Sequence, residues 1–319
     1  MKYVERRLLH AFVLVIGSSV LCFLFANLAP GSFFDEMKLN PQISADTLAG
    51  LRAQYGMNRP MPIKYALWMK SVFRGDWGYS FSYNTPVRAL LVVRARNTLV
   101  LTGLSTLLAW LMAIPLGIWA ADQKGRWPDR ALASFTSLFI CVPELAIVLG
   151  FLYFAVRTHA LPVGGMTSTD SAYSSLADKV RDIAAHLLIS VVTLVLVSLP
   201  TLVRHVRASM IEALDAPFIT AARGHGIGHW RLLFRYALPT AANPLISLFG
   251  LSVAGLLSGS LMVEVMTGWP GLGPLLLEAS LSRDFYVVID AVLVSTIFMI
   301  SGNLLADVLL VMADPRVRT

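Results

Sequence analysis

Six long apolar runs alternate with shorter polar segments along the chain. A helix needs about 20 mostly apolar residues to cross the hydrocarbon core of a bilayer. Lipid offers no hydrogen-bond partner to open backbone groups, so helices are the expected spanning elements, and the runs lack the alternation of barrel strands. The pattern predicts an all-α integral membrane protein with six transmembrane helices, at residues 9–29, 98–121, 131–156, 184–203, 238–263 and 286–312.

The composition supports this prediction because the chain is poor in charge. Of its 319 residues, 56% are hydrophobic and 14% are charged, and the mean hydropathy is +0.67. A soluble domain has about 45–50% apolar and about 25% charged residues. The net charge of +7 does not indicate nucleic-acid binding, because the basic residues lie between apolar runs, where they orient membrane proteins.

The basic residues also predict the orientation of the spans, because short loops rich in Lys and Arg stay in the cytoplasm. One set of loops and tails carries Lys2, Arg6, Arg7, Lys124, Arg126, Arg130, Arg204, Arg207, Arg223, Arg231, Arg235, Arg316 and Arg318. The opposite set carries only Arg157, Lys179, Arg181 and Arg283. Both termini are therefore expected in the cytoplasm.

The same topology gives the expected domain organisation. The first apolar run could be a cleaved signal peptide, but its length and Pro30 favour a retained anchor. Within the outer segment, one helix is predicted after Ser44 and a second from Pro62 to Gly75. The domains are an N-terminal tail with helix 1 at 1–29, an extracytoplasmic segment at 30–97, a membrane-spanning core at 98–313 and a cytoplasmic tail at 314–319.

Aromatic residues at alternate positions close the outer segment: Trp77, Tyr79, Phe81 and Tyr83. They are typical of an aromatic belt at the membrane interface, and the alternative is a docking surface for a partner.

Motifs for catalysis are missing from the sequence. No lysine follows a glycine, so the chain has no Gly-x-x-x-x-Gly-Lys loop for nucleotide phosphates. His225 and His229 lie four residues apart, but no third ligand lies nearby, so no metal site is expected. No catalytic residue is predicted, which leaves transport or anchoring.

The most informative segment is the loop at 204–237, between the fourth and fifth spans. Its first part is predicted to continue the fourth helix, and 218–223 to form a short helix ended by Gly224 and Gly226. A third helix is predicted to lead into the fifth span. A short helix between two spans can dock into a soluble partner and transmit its motion. The alternative is an ordinary basic loop.

This segment resembles the Glu-Ala-Ala loop of binding-protein-dependent ABC importer permeases, and more narrowly the first-subunit branch of the dipeptide, oligopeptide and nickel permease family. In that family the loop inserts between the lobes of an ATP-binding subunit. The resemblance therefore implies a type I ABC importer permease fold and an ATPase-coupling role for the loop. The residues that carry it are Glu212, Ala213, Phe218, Ala222, Arg223, Gly226, Leu238 and Pro239.

Further matches follow the family order along nearly the whole chain. Two departures, Pro143-Glu144 in the third span and residues 166–182, bear on the cargo more than on the fold. The matches are residues 55–60, Gly75-Asp76-Trp77-Gly78-Tyr79-Ser80, Asn97-Thr98-Leu99, Val263-Glu264, Trp269-Pro270-Gly271-Leu272-Gly273 and Ala313-Asp314-Pro315-Arg316.

The resemblance also implies partners and a location. They are a second permease subunit, two ATP-binding subunits, an external substrate-binding protein and the bacterial inner membrane. ATP and Mg²⁺ would bind to the partner subunits, and no cofactor to this chain. The implied cargo is a di- or oligopeptide, with nickel or another small solute as the alternative. An ion-coupled secondary transporter and a scaffold without transport are the rival classes.

Three residues are candidates for the translocation pathway. Glu144 lies near the centre of the third predicted span, where a charge costs about 3 kcal/mol, so it is expected to face a polar pathway, to be paired or to be protonated. Glu264 and Trp269 belong to the box after the fifth span, which either shapes an outer vestibule or forms a rigid turn. The small residues Gly250, Gly255 and Gly259 are expected at the interface with the second permease subunit.

Overall fold

The computed structural model describes residues 2–28, 50, 59–168 and 175–313. The predicted helix after Ser44, most of the 55–60 match and the match at 314–316 lie outside the described residues. The described chain is almost entirely helical. Its elements are α1 (Lys2–Leu28), α2 (Met61–Phe73), β1 (Tyr79–Ser80), β2 (Thr85–Pro86), α3 (Val87–Asp122), α4 (Trp127–Cys141), α5 (Glu144–Thr158), α6 (Leu176–Leu214), α7 (Pro217–Gly224), α8 (His229–Leu232), a π-helical turn (Leu233–Ala237), α9 (Leu238–Thr267), α10 (Leu272–Leu281) and α11 (Phe285–Ala313).

Five of the six predicted spans are single helical stretches that are long and apolar enough to cross a membrane. They lie within α1, α3, α6, α11 and the continuous stretch from α8 to α9. Several are longer than their apolar runs, because polar residues at their ends continue the helix. At the start of α6, for example, the Ser175 hydroxyl caps the helix by accepting a hydrogen bond from the backbone N–H of Asp178 at 3.3 Å.

The third predicted span is not one helix, and this corrects the sequence-based interpretation. It consists of α4 and α5, which are bent by 93° at the break between them. Pro143 has no N–H to continue the helix, and it forces the preceding Val142 into an extended conformation, with φ −83° and ψ 122°. Pro115 and Pro200, by contrast, lie inside continuous helices.

The described chain consists of two compact units. One comprises Met1–Thr98 and Pro270–Phe298. Within it, α1, α2 and α11 meet around Phe23, Trp68, Ile289 and Leu293, all of them buried. The indole Nε1 of Trp68 donates to Oδ1 of the buried Asp290 at 3.0 Å, which gives this intramembrane carboxylate a partner.

The outer hairpin β1–β2 packs within the same unit. The hydroxyl of Ser80 donates to Asp284 Oδ2 at 2.7 Å. Of the four aromatics at alternate positions, Trp77 and Tyr83 pack against a cluster that contains Leu91 and Leu275. The Tyr83 hydroxyl donates to Glu278, and burial together with this carboxylate raises the pKa of Tyr83 to about 12. These two aromatics thus serve intramolecular packing.

The other unit comprises Leu99–Trp269 and Met299–Thr319. Its core lies between α3, α5, α6 and α9, where Trp110 donates to the Ser252 hydroxyl at 2.9 Å. Gly250 lies so close to the last helix that a Cβ there would be 2.2 Å from the Cβ of Ala306. The expectation that Gly250 faces another subunit is therefore wrong, whereas a Cβ at Gly255 or Gly259 would meet nothing within 4 Å.

Candidate docking site on the inter-span helix

The segment between the fourth and fifth spans contains the predicted short helix, α7. The helix α6 ends where the backbone N–H of Asp215 and that of Ala216 bond to carbonyls of the last turn. Pro217 then occupies the first turn of α7, a position where its missing N–H costs nothing. The helix closes at Gly226, which has φ +74° and donates to the carbonyl of Arg223 at 3.0 Å. Pro217 therefore sets the start of α7, and Gly226 sets the turn that ends it.

One side of α7 is seated on the core of its own chain. Ile219 is fully buried, with 0% of its surface exposed, and Ala222 is 8% exposed. The neighbouring Ala213 of α6 and Leu232 of α8 are also buried. The short helix is consequently held by apolar packing to the helices on both sides of it.

The other side of α7 is open. Phe218 is 48% exposed, and Arg223 and Gly226 are exposed, as is Glu212 near the end of α6. Large apolar side chains exposed beside charged groups are typical of protein interaction surfaces. Of the eight residues matched to the family pattern, the six from Glu212 to Gly226 thus divide into two groups. A partner can reach four of them, and the other two, Ala213 and Ala222, pack the helix against its own chain.

A second aromatic feature adjoins this face and was not predicted. Trp230 is 71% exposed, and its ring stacks on Phe234 with 6.0 Å between centroids and 11° between planes. Phe234 belongs to the π-helical turn that joins α8 to α9, a type of irregularity that is frequent at functional sites. Two exposed aromatics four residues apart were visible in the sequence, but their exposure was not.

Three polar contacts tie the turn between α3 and α4 to the segments that flank α7. Lys124 Nζ lies 2.8 Å from Asp215 Oδ2, just before α7. His229 Nε2 lies 3.0 Å from Asp122 Oδ1, just after α7. The third contact joins α4 to α6 and is an ion pair between the buried Asp129 and the partly exposed Arg207.

This ion pair has bidentate geometry, which is the strongest arrangement for arginine and a carboxylate. Arg207 Nε donates to Asp129 Oδ1 at 2.5 Å, and Nη2 donates to Oδ2 at 2.8 Å. The N–H of Gly125 also donates to Asp129 Oδ2 at 2.8 Å. Together, the Lys124–Asp215, His229–Asp122 and Arg207–Asp129 contacts connect α3, α4 and α6 with the segments on both sides of α7.

The candidate pathway residue Glu144 is the first residue of α5, directly after the 93° bend. It therefore does not lie in the middle of a continuous span, as the sequence had suggested. A carboxylate in the first turn of a helix is favoured by the helix dipole. Its Oε1 is buried and has no hydrogen-bond partner among the described residues.

The other two pathway candidates are buried within this subunit. Glu264 is 1% exposed and accepts a 3.4 Å hydrogen bond from the Ser260 hydroxyl. Trp269 is also 1% exposed, and its backbone N–H donates to the Glu264 carbonyl at 2.9 Å. This packing favours the rigid-turn interpretation of the box, and the pathway role of both residues stays a prediction.

The rest of that box, from Pro270 onward, is held by hydrogen bonds to residues at the start of the second span. The sequence did not predict these contacts. Asn97 Nδ2 donates to the Pro270 carbonyl at 2.8 Å, and the Thr98 hydroxyl accepts from the N–H of Leu272 at 2.8 Å. As for metals, no three His, Cys, Asp or Glu side chains within the described residues are grouped as a metal site requires.

The fold and the loop define a multi-pass helical membrane protein with an exposed helix between two of its spans. Comparison with protein families gives its class. The model of the binding-protein-dependent transport system inner membrane component matches residues 113–319, and the model of the N-terminal region of these components matches residues 1–102. The chain belongs to this family.

Curated relatives match over nearly their full length. The oligopeptide transport system permease protein AppB of Bacillus subtilis is 30% identical over 99% of this chain and 98% of its own. A probable peptide ABC transporter permease of Sinorhizobium fredii is 32% identical over 99% of both chains. The glutathione transport system permease protein GsiC of Salmonella choleraesuis is 30% identical over 100% of this chain and 99% of its own.

Family membership establishes several of the expected properties. The chain is a transport permease with an all-α importer fold, and it is a multi-pass component of the inner membrane. As a binding-protein-dependent component it works with a substrate-binding protein and with ATPase partners.

Proposed function

We propose that this chain is the membrane-spanning permease subunit of an ATP-driven importer of di- or oligopeptides. The observation that carries the proposal is α7, which is seated by Ile219 and Ala222 on its own chain and presents Phe218 and Arg223 outward. ATP-binding subunits dock against this face and supply the energy. The permease itself carries no catalytic residue and binds no cofactor, since ATP and Mg²⁺ belong to those subunits.

The coupling mechanism follows from how α7 is held. A displacement of α7 passes into α6, which runs unbroken from Leu176 to Leu214. The Asp129–Arg207 ion pair passes the same displacement to α4. ATP-driven closure of the partner subunits therefore moves several spans together and switches the permease between inward and outward access, a two-state change biased by partner contacts.

The proposed assembly contains a second permease subunit, two ATP-binding subunits and an external substrate-binding protein. Both termini and α7 lie in the cytoplasm, because the loops on that side carry most of the Lys and Arg residues. The Glu264–Trp269 turn lies toward the outer side, where the binding protein releases its ligand.

Peptides are the proposed cargo rather than nickel. The relatives described above are named for oligopeptide, peptide and glutathione transport. All of these cargoes consist of amino acids in amide linkage, with charged ammonium and carboxylate groups. Measuring which ligand the accompanying substrate-binding protein binds tests the cargo directly.

The docking role is tested by site-directed labelling and co-purification. The permease is expressed without its ATPase partner, which would otherwise cover α7, and with the free Cys22 and Cys141 replaced by serine. We expect Thr220→Cys, on the exposed face of α7, to react with a membrane-impermeant thiol reagent only in inside-out vesicles. The matched control Leu281→Cys, at the 72% exposed end of α10, should react only from outside intact cells. The same chain should co-purify with an ATPase subunit. Labelling of Thr220→Cys from outside would refute the docking role, since no cytoplasmic ATPase could then reach α7.

The pathway role of Glu144 is tested by Glu144→Gln, which keeps the size of the side chain and removes its charge. We expect peptide uptake to fall several-fold, because the side chain lies at a break in the span. Protein abundance should stay unchanged, because the buried Oε1 has no hydrogen bond within the described residues that the substitution would remove. Glu264→Gln serves as the comparison, since that carboxylate is packed inside the subunit and its loss should lower abundance as well. Unchanged transport of several peptides by Glu144→Gln would remove Glu144 from the pathway.

A further inference from the structure

A cavity of about 730 Å³ opens between α4 and α6, on the side of the bundle where these helices carry their basic residues. Its polar lining comes from Thr136 and Ser137 of α4 and from Thr201, Arg204, His205 and Arg207 of α6. None of these side chains has a role in the docking surface of α7. The cavity is therefore a separate feature that needs its own explanation.

The charge in this cavity is positive and partly unused. Arg204 is exposed and has no ion-pair or hydrogen-bond partner among the residues that the structure describes. Arg207 donates from Nε and Nη2 to Asp129, and its Nη1 has no hydrogen-bond partner within the described part of the chain. Among the described residues, no acidic side chain lines the cavity. An anion fits these groups, and the forked donors of arginine are suited to phosphate and carboxylate oxygens.

The positions of charged residues in the sequence indicate how deep the cavity lies in the membrane. Arg204 is the first charged residue after the apolar stretch of the fourth span, and Arg130 is the last one before the apolar part of α4. Leu132, Ile140 and Val203 line the cavity on the apolar side of this boundary. It thus combines basic groups at the membrane surface with an apolar wall that runs into the hydrocarbon region.

We propose that this cavity binds the phosphate headgroup of an acidic phospholipid, with Arg204 as the principal contact and the Leu132–Ile140 side of α4 against an acyl chain. Basic pockets between membrane helices at the cytoplasmic surface bind phosphate-bearing headgroups in this way. A free anion or the carboxylate of a peptide would use the arginines but would leave the apolar wall unused. A lipid bound here bridges α4 and α6 beside the Asp129–Arg207 pair.

The experiment uses the complete transporter in nanodiscs that contain phosphatidylglycerol and phosphatidylcholine. Native mass spectrometry after partial delipidation measures which lipid is retained. We expect the wild type to retain phosphatidylglycerol, and Arg204→Gln to retain it about fivefold less, the effect of one basic residue at a membrane surface. Arg204→Lys should keep most of the retention. Arg130→Gln is the matched control, because Arg130 is exposed on α4 and does not line the cavity.

The outcomes separate the lipid from other anions. Loss of retention in Arg204→Gln but not in Arg130→Gln supports the site. Equal retention in these two variants overturns it, and so does a wild type that retains both lipids equally. Displacement of phosphatidylglycerol by millimolar inorganic phosphate or by a transported peptide would also overturn it, because the cavity would then be a general anion or cargo site.

Discussion

Gly226→Asp is expected to abolish ATP-coupled uptake while the protein still inserts into the membrane at its normal level. Gly226 has φ +74°, a left-handed conformation that costs most L residues about 1–2 kcal/mol and aspartate somewhat less. A Cβ at this position meets nothing within 4 Å, so the core of the subunit is not disturbed. The new carboxylate also lies at the end of α7, where the helix dipole disfavours negative charge. Losing about 2 kcal/mol of docking energy would weaken the partner contact about thirtyfold.

Gly228→Asp is the matched control for this change. It adds the same charge two residues later, at a position with φ −60° that caps α8, where Asp is a favoured residue. We expect it to retain most of the uptake, measured as peptide accumulation at matched abundance. Loss of uptake in both variants would assign the effect to charge rather than to backbone conformation. Normal ATP-coupled uptake by Gly226→Asp would contradict the docking role of α7.

Asp129→Asn is expected to destabilise the whole subunit. The Asp129 side chain is 4% exposed and accepts from Arg207 and from the N–H of Gly125. An asparagine amide places its NH₂ group against one of these donors and leaves the guanidinium without a counter-charge. Removing one partner of a fully buried ion pair costs about 3–5 kcal/mol, and the cost here lies below that range because the remaining Arg207 keeps 32% of its side chain exposed. The unfolding midpoint in detergent should fall by several degrees.

Asp215→Asn is the appropriate comparison, since it removes an ion pair between the same two regions of the chain. The Lys124–Asp215 pair has a similar distance of 2.8 Å, but its side chains are 53% and 64% exposed. Such a surface pair contributes about 0–1 kcal/mol, so its loss should leave the midpoint almost unchanged. Equal midpoints for Asp129→Asn and the unaltered protein would show that the buried pair is not what holds α4 to α6.

The inter-span helix was predictable because its boundaries depend on local residues. Pro217 starts a helix easily and cannot continue one, and Gly224 with Gly226 allows the chain to leave it. These properties act within a few residues, so they can be recognised without any tertiary contact. The structure accordingly has a helix at Pro217–Gly224, close to the predicted 218–223.

The division of this loop into a seat and an open face was not predictable in the same way. Ala222 and Arg223 are adjacent in sequence and both match the family pattern, yet one is buried and the other exposed. Which of them faces inward depends on how α7 packs against α6 and α8. The burial of Ile219, which is not among the matched residues, follows from the same packing.

The bend in the third span shows a similar limit. Residues 131–156 are mostly apolar and carry no charged residue except Glu144, so hydropathy alone indicates one crossing. A proline in an apolar run is compatible with a continuous helix, as at Pro115 and Pro200, or with a complete break, as at Pro143. The choice is visible only in the tertiary structure, where α4 packs on α6, α5 packs on both α6 and α9, and the bend between them is 93°.

Hydropathy, helix length and turn residues describe short stretches of chain, and from them the all-α membrane class, the six apolar segments and the position of α7 could be derived. Contacts between distant residues have no such local signal. Asp129 and Arg207 are 78 positions apart, and Trp68 and Asp290 are 222 positions apart. Their pairing arises because buried polar groups require partners and folding brings these within reach. The seat of α7, the break before Glu144 and the basic cavity of Arg204 all depend on such long-range packing.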